Sequence, residues 1–318
     1  FGNDTIGGGD TATTGANYDT INLNGLSNPV SVVFTGAGAG TITDSVTGDT
    51  ISFSGIEQLI LTEGNDTVDA TLDNGSTYIQ TRGGDDFIQG SPGNDIYDDE
   101  IFGPDGQGNN TFIGGDGNDG LWGGTGNDSL VGGLGADSID GQSGDDIIDG
   151  GAGNDSLQGG VGNDSILGGD GDDLIDDRQP FGTLVNDADT VTGSTGFDAF
   201  LFDGDPGTSA TIILDDGSGT ANDGDIELDL VTVSSTGDGA NLTLQGFTYG
   251  TDNVFLSEQW ASLSTTQIAS GHHQVTVTYD NGNSQTFDIL HDNGTAFDPA
   301  QVFYTYAGND TLIGDAGN

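Results

Sequence analysis

A nine-residue repeat runs without a gap from Gly114 to Asp176, and it restricts the possible folds of this chain more than any other feature. Each nonapeptide has glycine at its first and fourth places, aspartate at its sixth and an aliphatic residue at its eighth. The seven nonapeptides read GGDGNDGLW, GGTGNDSLV, GGLGADSID, GQSGDDIID, GGAGNDSLQ, GGVGNDSIL and GGDGDDLID. Self-similarity at so short a period indicates a β-solenoid in which every repeat supplies one turn and one strand.

The glycines near the start of each nonapeptide predict a tight turn, because a residue without a Cβ adopts positive φ without strain. Backbone carbonyls should line these turns, contributed for example by Gly115, Gly117, Gly124, Gly126, Gly133, Gly135, Gly151, Gly153, Gly160, Gly162, Gly169 and Gly171. The eighth-place residues fall on short strands and are predicted to fill the interior: Leu121, Leu130, Ile139, Ile148, Leu157, Ile166 and Ile175. The prediction is an all-β fold.

The sixth place adds one short carboxylate to every turn. These residues are Asp119, Asp128, Asp137, Asp146, Asp155, Asp164 and Asp173. Two carboxylates about 5 Å apart repel by roughly 3 kcal/mol at an effective dielectric constant of 20, so stacked turns would oppose the packing of the strands. A hard cation reverses that sign. Turns of carbonyls and carboxylates favour Ca²⁺, which accepts six to eight oxygens in flexible geometry, over Mg²⁺, which requires a strict octahedron.

These repeats resemble those of the RTX family of secreted bacterial proteins. The resemblance implies a calcium-binding parallel β-roll, or β-helix solenoid, in which two nonapeptides form one coil. Nonapeptides eighteen residues apart then stack, with strands roughly 4.8 Å apart. Pairing 114 with 132, 123 with 141, 132 with 150, 141 with 159 and 150 with 168 predicts five or more Ca²⁺ ions. The resemblance also implies type I secretion.

Further nonapeptides in the same phase lie outside the tandem. DGQGNNTFI at 105–113 has Asn110 at the sixth place, so its site should bind more weakly or depend on a neighbour. The other candidate metal ligands are Asp4, Asp66, Asp86, Asp95, Asp189, Asp198 and Asp310. The roll is therefore expected to extend in both directions.

The pattern of residues predicts four parts: irregular solenoid coils at 1–80, the RTX β-roll at 81–201 with its uninterrupted core at 105–176, an appended antiparallel β-sandwich-like domain at 202–304, and a partial repeat at 305–318. Alternating segments predict the strands of the third part at Thr211–Leu214, Ile226–Val233, Asn241–Phe247, Val254–Leu256, Gln274–Tyr279, Gln285–Leu290 and Val302–Tyr306. One short helix is predicted near Glu258–Ala269, with Ser257 as its N-cap.

Composition supports a chain that needs metal to fold. It has 52 acidic residues against two arginines and no lysine, a net charge of −50. Part of that charge is a solvated acidic surface, as in proteins from salty media. High charge with modest hydrophobicity predicts disorder without metal, and metal binding then supplies folding free energy. With no cysteine, Ca²⁺ takes the place of disulfides in an extracellular setting.

Candidate catalytic features are weak, and we predict that the chain is not an enzyme. A catalytic zinc site uses three protein ligands, but His272 and His273 alternate across a strand and only His291 remains. Nucleophile motifs are missing, and Arg82 and Arg178 alone could bind a polyanion. The acidic surface argues against nucleic acid and anionic lipid, and no segment is apolar enough to insert into a membrane.

Three functions remain open. The first is a calcium-rigidified structural or adhesive module of a surface layer, matrix fibre or large RTX adhesin, with partial repeats at both ends that suggest either excision from a tandem array or head-to-tail self-assembly. The second is the non-catalytic carrier module of a secreted hydrolase. The third is glycan binding, for example at a cell surface, where Trp122 or Trp260 could stack on a sugar, although packing is the preferred role of Trp260.

Overall fold

The structure is a computed structural model. It describes residues 4–7, 19–99, 108–177, 188–195, 198–203, 209–213, 230–234, 241–247, 253–256, 260–269, 272–279, 284–291 and 303–305. Every regular element in these ranges is a β-strand. None of the described residues belongs to a helix long and apolar enough to cross a membrane. The chain forms two compact units, an N-terminal unit, Phe1–Gly159, and a C-terminal unit, Gly160–Asn318.

Two sheets build the N-terminal unit. Sheet A has the strand order β1-β5-β4-β3-β7-β9-β11-β13-β15, and sheet B has the order β2-β6-β8-β10-β12-β14-β16. The strands of sheet A are β1 (Asp4–Gly7), β3 (Val30–Gly36), β4 (Ala39–Asp44), β5 (Thr50–Ser54), β7 (Thr67–Asp69), β9 (Phe87–Gln89), β11 (Thr111–Asp116), β13 (Ser129–Leu134) and β15 (Ile147–Ala152). Those of sheet B are β2 (Thr20–Asn22), β6 (Gln58–Ile60), β8 (Tyr78–Gln80), β10 (Ile96–Asp98), β12 (Gly120–Trp122), β14 (Ser138–Ser143) and β16 (Ser156–Val161).

Successive coils stack in parallel with an offset of eighteen residues. In sheet A, Phe112 pairs with Leu130, which pairs with Ile148. In sheet B, Leu121 pairs with Ile139. The chain therefore crosses between the sheets once per nonapeptide, and the predicted pairing of repeats two apart is confirmed for these strands.

The first coils contain an antiparallel meander. β3 pairs with β4, and β4 pairs with β5, both antiparallel, while β3 also pairs in parallel with β7. The ring of Phe34 lies edge-on to that of Phe53, with centroids 5.3 Å apart. The meander thus joins the start of the solenoid through a shared sheet and its own aromatic core.

Eighth-place side chains fill the interior, as the repeat predicts. All seven in the tandem are buried: Leu121, Leu130, Ile139, Ile148, Leu157, Ile166 and Ile175. The same place in earlier coils holds Val68, Ile79, Ile88, Tyr97 and Phe112, and these are buried too. Each burial favours folding by roughly 1.5 to 3 kcal/mol, so the core supplies a continuous apolar column along the coils.

Parallel coils also build the C-terminal unit, which corrects the predicted antiparallel sandwich. Its two sheets have the orders β17-β19-β21-β23-β27-β26-β25 and β18-β20-β22-β24-β28. Their strands are β17 (Ser165–Asp170), β18 (Leu174–Asp177), β19 (Ala188–Thr195), β20 (Ala199–Asp203), β21 (Ser209–Ile213), β22 (Leu230–Ser234), β23 (Asn241–Phe247), β24 (Asn253–Leu256), β25 (Trp260–Ala269), β26 (His272–Tyr279), β27 (Ser284–His291) and β28 (Phe303–Thr305).

In one sheet, β21 pairs in parallel with β19 and β23. In the other sheet, β22 pairs in parallel with β20 and β24, and β24 with β28. Antiparallel pairing is limited to β25, β26 and β27 among the described strands of this unit. Alternation of polar and apolar residues indicates that one face of a strand is buried, whatever the strand direction. It therefore predicts where strands lie but does not distinguish parallel from antiparallel pairing. The helix predicted near Glu258–Ala269 is also wrong, because Trp260–Ala269 is strand β25.

Candidate metal centre

The turns between strands stack closely through glycine. Gly117 and Gly135 occupy the fourth place of repeats that are eighteen residues apart, with φ of +120° and +135°. A Cβ on Gly135 would collide with the carbonyl oxygen of Gly117. The second place behaves alike, since a Cβ on Gly133 would collide with the oxygen of Gly115. Glycine is therefore required both for positive φ and for the approach of backbone to backbone.

The sixth-place aspartates form a ladder from coil to coil. The backbone N–H of Asp119 donates to Asp137 Oδ1 at 2.7 Å, and that of Asp137 donates to Asp155 Oδ1 at 2.8 Å. On the other side, Asn110 N–H donates to Asp128 Oδ1 at 2.7 Å and Asp128 N–H to Asp146 Oδ1 at 2.8 Å. One oxygen of each carboxylate thus closes the turn of the preceding coil.

The second carboxylate oxygen is buried and accepts no hydrogen bond from the described residues at Asp119, Asp128 and Asp137. These side chains are only 3%, 2% and 2% exposed, so bulk solvent does not reach them. A Cβ placed on Gly114 would touch Asp119 Oδ2 and lie 2.6 Å from the carbonyl oxygen of Gly132. Carboxylate and carbonyl oxygens therefore converge on one small space, and two acceptors cannot satisfy each other.

The same convergence recurs in both units. It joins a first-place glycine, the sixth-place carboxylate of its own repeat and the first-place carbonyl of the next coil. The members are Gly114 with Asp119 and Gly132, Gly123 with Asp128 and Gly141, Gly132 with Asp137 and Gly150, Gly141 with Asp146 and Gly159, and Gly168 with Asp173 and Gly193. We call these five arrangements the oxygen cradles.

Burial without a counter-charge shifts the acidity of the cradle carboxyls. Desolvation raises the pKa of Asp119, Asp128 and Asp146 from 3.8 to about 7, and that of Asp137 to about 6. Hydrogen bonds from backbone N–H groups oppose this rise but do not cancel it. In the turns, the buried carboxyl group is therefore favoured either in its protonated form or as a carboxylate paired with a cation.

The oxygen set fits Ca²⁺. Each cradle brings a carboxylate oxygen and a backbone carbonyl oxygen together, and both are hard ligands of the kind that Ca²⁺ accepts. No group of three or more His, Cys, Asp or Glu side chains able to hold a metal ion occurs among the described residues. Transition metals prefer imidazole and thiolate ligands, so a site made of carbonyls with few carboxylates favours calcium.

The outlying sixth-place residues differ in their surroundings. Asp86 Oδ2 is buried without a partner in the described ranges, and desolvation raises the pKa of Asp86 to about 9. In the C-terminal unit, Asp189 and Asp198 continue the ladder by accepting the N–H of Asp164 at 2.7 Å and of Asp173 at 3.0 Å. The side chain of Asp4 and all of Asp310 lie outside the described residues. Metal binding at these positions stays a prediction.

At Asp66 and Asp95, protein donors reach both carboxylate oxygens. Asp66 Oδ1 accepts the N–H of Val30 at 2.7 Å, and Oδ2 accepts the N–H of Thr62 at 2.8 Å. The Asp95 carboxylate accepts hydrogen bonds from Thr77, Ser91 and Tyr97. These donors are not predicted above, although the hydroxyl residues Thr62 and Ser91, which replace glycine at the second place, are a signal of them in the sequence.

Trp122 stands at the ninth place of its repeat, at the end of strand β12. The indole of Trp122 lies over Gly120, since a Cβ there would be 2.7 Å from two ring carbons. His272 and His273 are consecutive residues of strand β26. Sugar stacking by Trp122 stays a prediction.

We expect acid to replace part of the effect of calcium. The folded, metal-free turns bind more protons than the unfolded chain because their carboxyl pKa values are raised. Stability of the metal-free protein should therefore increase as the pH falls from about 7 towards about 4, through the interval between the folded and unfolded pKa values.

Circular dichroism of metal-free protein at about pH 7.5 and about pH 5 tests this effect, because the content of β-structure should be higher at the lower pH. Calcium-loaded protein is the control, and its melting temperature should instead fall at the lower pH because protons compete with the ion. An unchanged or lower content of β-structure of the metal-free protein at about pH 5 would contradict this prediction.

Comparison with known families agrees with this geometry. The model for the RTX calcium-binding nonapeptide repeat, four copies long, matches residues 71–98, 105–130, 122–157, 150–176 and 302–318. The matched family is a calcium-binding repeat. No curated protein matches the chain.

Proposed function

Since the chain carries RTX calcium-binding nonapeptide repeats, we propose that it is an extracellular structural module whose parallel coils are held together by Ca²⁺. The observation that carries this proposal is the bare, buried Oδ2 of Asp119, Asp128 and Asp137 beside a carbonyl of the next coil. A cation at that place offsets the cost of an unpaired buried carboxylate and links two coils at once.

The five oxygen cradles support a count of five or more ions. Their ligands would be the sixth-place carboxylate and carbonyls of the glycine turns. Extracellular calcium modules bind with Kd values of about 10⁻⁴ to 10⁻³ M, so the coils that carry the oxygen cradles would stay open in a calcium-poor cytosol and fold after export. RTX repeat proteins are typically secreted, and this coupling suits that route.

The finer part of the proposal is a load-bearing or adhesive role through association of copies. The repeat supports it, because every coil offers the next an equivalent hydrogen-bonding edge and neighbouring coils contribute most of the stability. Sedimentation velocity of the full chain in EDTA and in millimolar Ca²⁺ tests this role. Elongated or associating particles in calcium support it, and a compact monomer at high protein concentration contradicts it.

Replacement of Asp137 by alanine should remove one bound Ca²⁺ ion. The change deletes the carboxylate that faces Gly150 O and that closes the turn of Asp119. Loss of the ion at about 100-fold excess over Kd costs about 2.7 kcal/mol. Equilibrium dialysis with calcium counting, together with urea unfolding in calcium, measures both effects.

The matched control is Asp116→Ala, which removes the same charge from an exposed place in a neighbouring turn. It should leave the ion count unchanged. An equal count for wild type and Asp137→Ala would exclude that cradle as a calcium site.

A further inference from the structure

The repeats upstream of residue 111 form turns like those of the tandem repeats, but in most of them protein N–H and O–H groups donate to both carboxylate oxygens. In the tandem, Oδ2 of Asp119, Asp128 and Asp137 has no such donor. In the repeat at 61–69, the hydroxyl of Thr62 lies 2.9 Å from Asp66 Oδ1 and 3.1 Å from Oδ2. Together with the N–H donors from Val30 and Thr62, this hydroxyl satisfies a carboxylate that is 1% exposed. The turn is closed without metal.

In the repeat at 72–80, the carboxylate is also satisfied by protein donors, but the aspartate and the hydroxyl residue have exchanged places. Thr77 stands at the sixth place and Asp73 at the second. The Thr77 hydroxyl donates to Asp73 Oδ2 at 2.7 Å, while Asp73 Oδ1 accepts the N–H of Gly75 at 3.0 Å. The sixth place therefore carries no charge in this coil, and the carboxylate at the second place has donors on both oxygens.

In the repeat at 90–98, two hydroxyls replace the cation. The Ser91 hydroxyl and the Tyr97 hydroxyl donate to Asp95 Oδ2 at 2.9 and 2.8 Å. Tyr97 stands at the eighth place, where the tandem has leucine or isoleucine, and its ring is buried. Its oxygen would lie 2.5 Å from a Cβ on Gly90, a Cβ that would also meet Gly114 O. Tyr97 thus fills the cradle from inside the core.

Asn110 closes the last upstream turn with an amide. Its Oδ1 accepts the N–H of Asp86 at 3.0 Å, as the ladder aspartates do. Its Nδ2 donates to Gly123 O at 3.1 Å and to Asp99 Oδ2 at 3.0 Å. Gly123 O is the first-place carbonyl of the next coil, and in the oxygen cradles the corresponding carbonyl lies beside the aspartate Oδ2. The amide therefore supplies a proton donor where aspartate would need a cation.

Asp86 alone departs from this pattern among the described sixth-place residues before 111, since its Oδ2 has no donor. It lies between two satisfied turns, with Asp66 N–H donating to its Oδ1 and Asn110 receiving its own N–H. Downstream, Asp119, Asp128 and Asp137 all have a bare oxygen. Except at Asp86, the change from turns closed by protein donors to turns with a bare carboxylate oxygen falls between Asn110 and Asp119.

From these contacts we propose that residues 19–99, together with Asn110, form a calcium-independent template on which the calcium-dependent coils of 111–159 assemble. This inference rests on the proposed function for the downstream coils only. The first coil of a solenoid is costly because it closes a loop before any neighbour stacks on it. A preformed edge removes that cost, so ions would order the coils in sequence, beginning beside Asn110.

Hydrogen exchange of the full chain, read by mass spectrometry in EDTA and in millimolar Ca²⁺, tests the template. In EDTA, amides of β7 to β10 and of the meander should exchange at least about tenfold more slowly than those of β12 to β15, a local difference of about 1.4 kcal/mol. Calcium should protect both. Fast exchange of both segments in EDTA overturns the template and leaves the calcium function intact, whereas slow exchange of both overturns the calcium function.

Two variants sharpen the test by restoring the repeat consensus. Ser91→Gly combined with Tyr97→Leu removes both hydroxyls, and Asn110→Asp replaces the amide proton by an acceptor. Each should bind one more Ca²⁺ ion than wild type and lose the protection of the upstream coils in EDTA while keeping it in calcium. An unchanged ion count with unchanged protection in EDTA would refute the inference.

Asn109→Asp is the matched control for Asn110→Asp. Asn109 is exposed, and its Oδ1 accepts the N–H of Asn127 at 2.7 Å, a role that a carboxylate oxygen can keep. The control should leave both ion count and protection as in wild type. If it changes them as Asn110→Asp does, the effect is one of added charge and the assignment of Asn110 fails.

Discussion

Removal of calcium should unfold the coils of residues 111–159 and lower the content of β-structure of the full chain by a large fraction. Each ion bound at about 100-fold excess over its Kd contributes about 2.7 kcal/mol, while a domain is stable by only about 5 to 15 kcal/mol in total. Loss of several ions therefore exceeds the whole stability of these coils. The bare Oδ2 atoms and the net charge of −50 act in the same direction.

Circular dichroism during a calcium titration of EDTA-treated protein measures this transition. Magnesium at equal ionic strength is the control, because general screening of the charge would act equally for both ions. Mg²⁺ binds poorly to sites made of carbonyls with few carboxylates, so it should restore little structure. Equal recovery in magnesium, or no loss of structure in EDTA, would contradict the calcium account.

Gly135→Ala should be strongly destabilising, because the added methyl group has no room in the turn. Gly135 has φ of +135°, and the added Cβ would overlap the carbonyl oxygen of Gly117. Strain at positive φ costs roughly 1 to 2 kcal/mol, and forced overpacking costs roughly 1 to 3 kcal/mol. We expect a loss of about 3 kcal/mol in the free energy of unfolding, with a higher calcium concentration at the folding midpoint.

Gly25→Ala separates the two causes. Gly25 also has positive φ, +84°, but a Cβ there would meet nothing within 4 Å. This variant should therefore lose only the strain energy. Urea unfolding in saturating calcium compares the two. If Gly135→Ala lowers the free energy of unfolding no more than Gly25→Ala does, the turns have room to relax and their close stacking does not contribute to stability.

The sequence was sufficient where one residue type at one place had one physical role. Glycine at the fourth place, aspartate at the sixth and leucine or isoleucine at the eighth predicted the turn, the ladder and the core, and the structure places Gly135, Asp137 and Ile139 accordingly. The offset of eighteen residues also followed from the resemblance, as the pairing of Leu130 with Ile148 confirms.

Pairing direction could not be predicted where the repeat is lost. Strands β22 and β24 pair in parallel although long segments separate them along the chain, and their alternating residues would suit a hairpin equally well. The helix predicted near Glu258–Ala269 rests on Ser257 as a cap, but Trp260–Ala269 is a strand that pairs with β26, because pairing with a neighbouring strand outweighs local propensity.

The nonapeptide pattern alone also does not predict which sixth-place aspartates are satisfied by protein hydrogen-bond donors in place of a cation. Thr62 and Tyr97 reach their aspartates through the geometry of the turn and the core. A repeat that preserves the sixth-place aspartate can thus either need a metal or do without it. The second and eighth places decide between these outcomes, and only the structure shows that they act together.

Anomalous X-ray scattering from a crystal of the full chain grown in calcium tests most directly whether Ca²⁺ fills the turns. Calcium peaks are expected at the oxygen cradles, beside Oδ2 of Asp119, Asp128 and Asp137, and none beside the hydroxyl-bound carboxylates of Asp66 and Asp95. Cradles without calcium peaks, in coils that are nevertheless folded, would show that protons or water close these turns and would contradict the account.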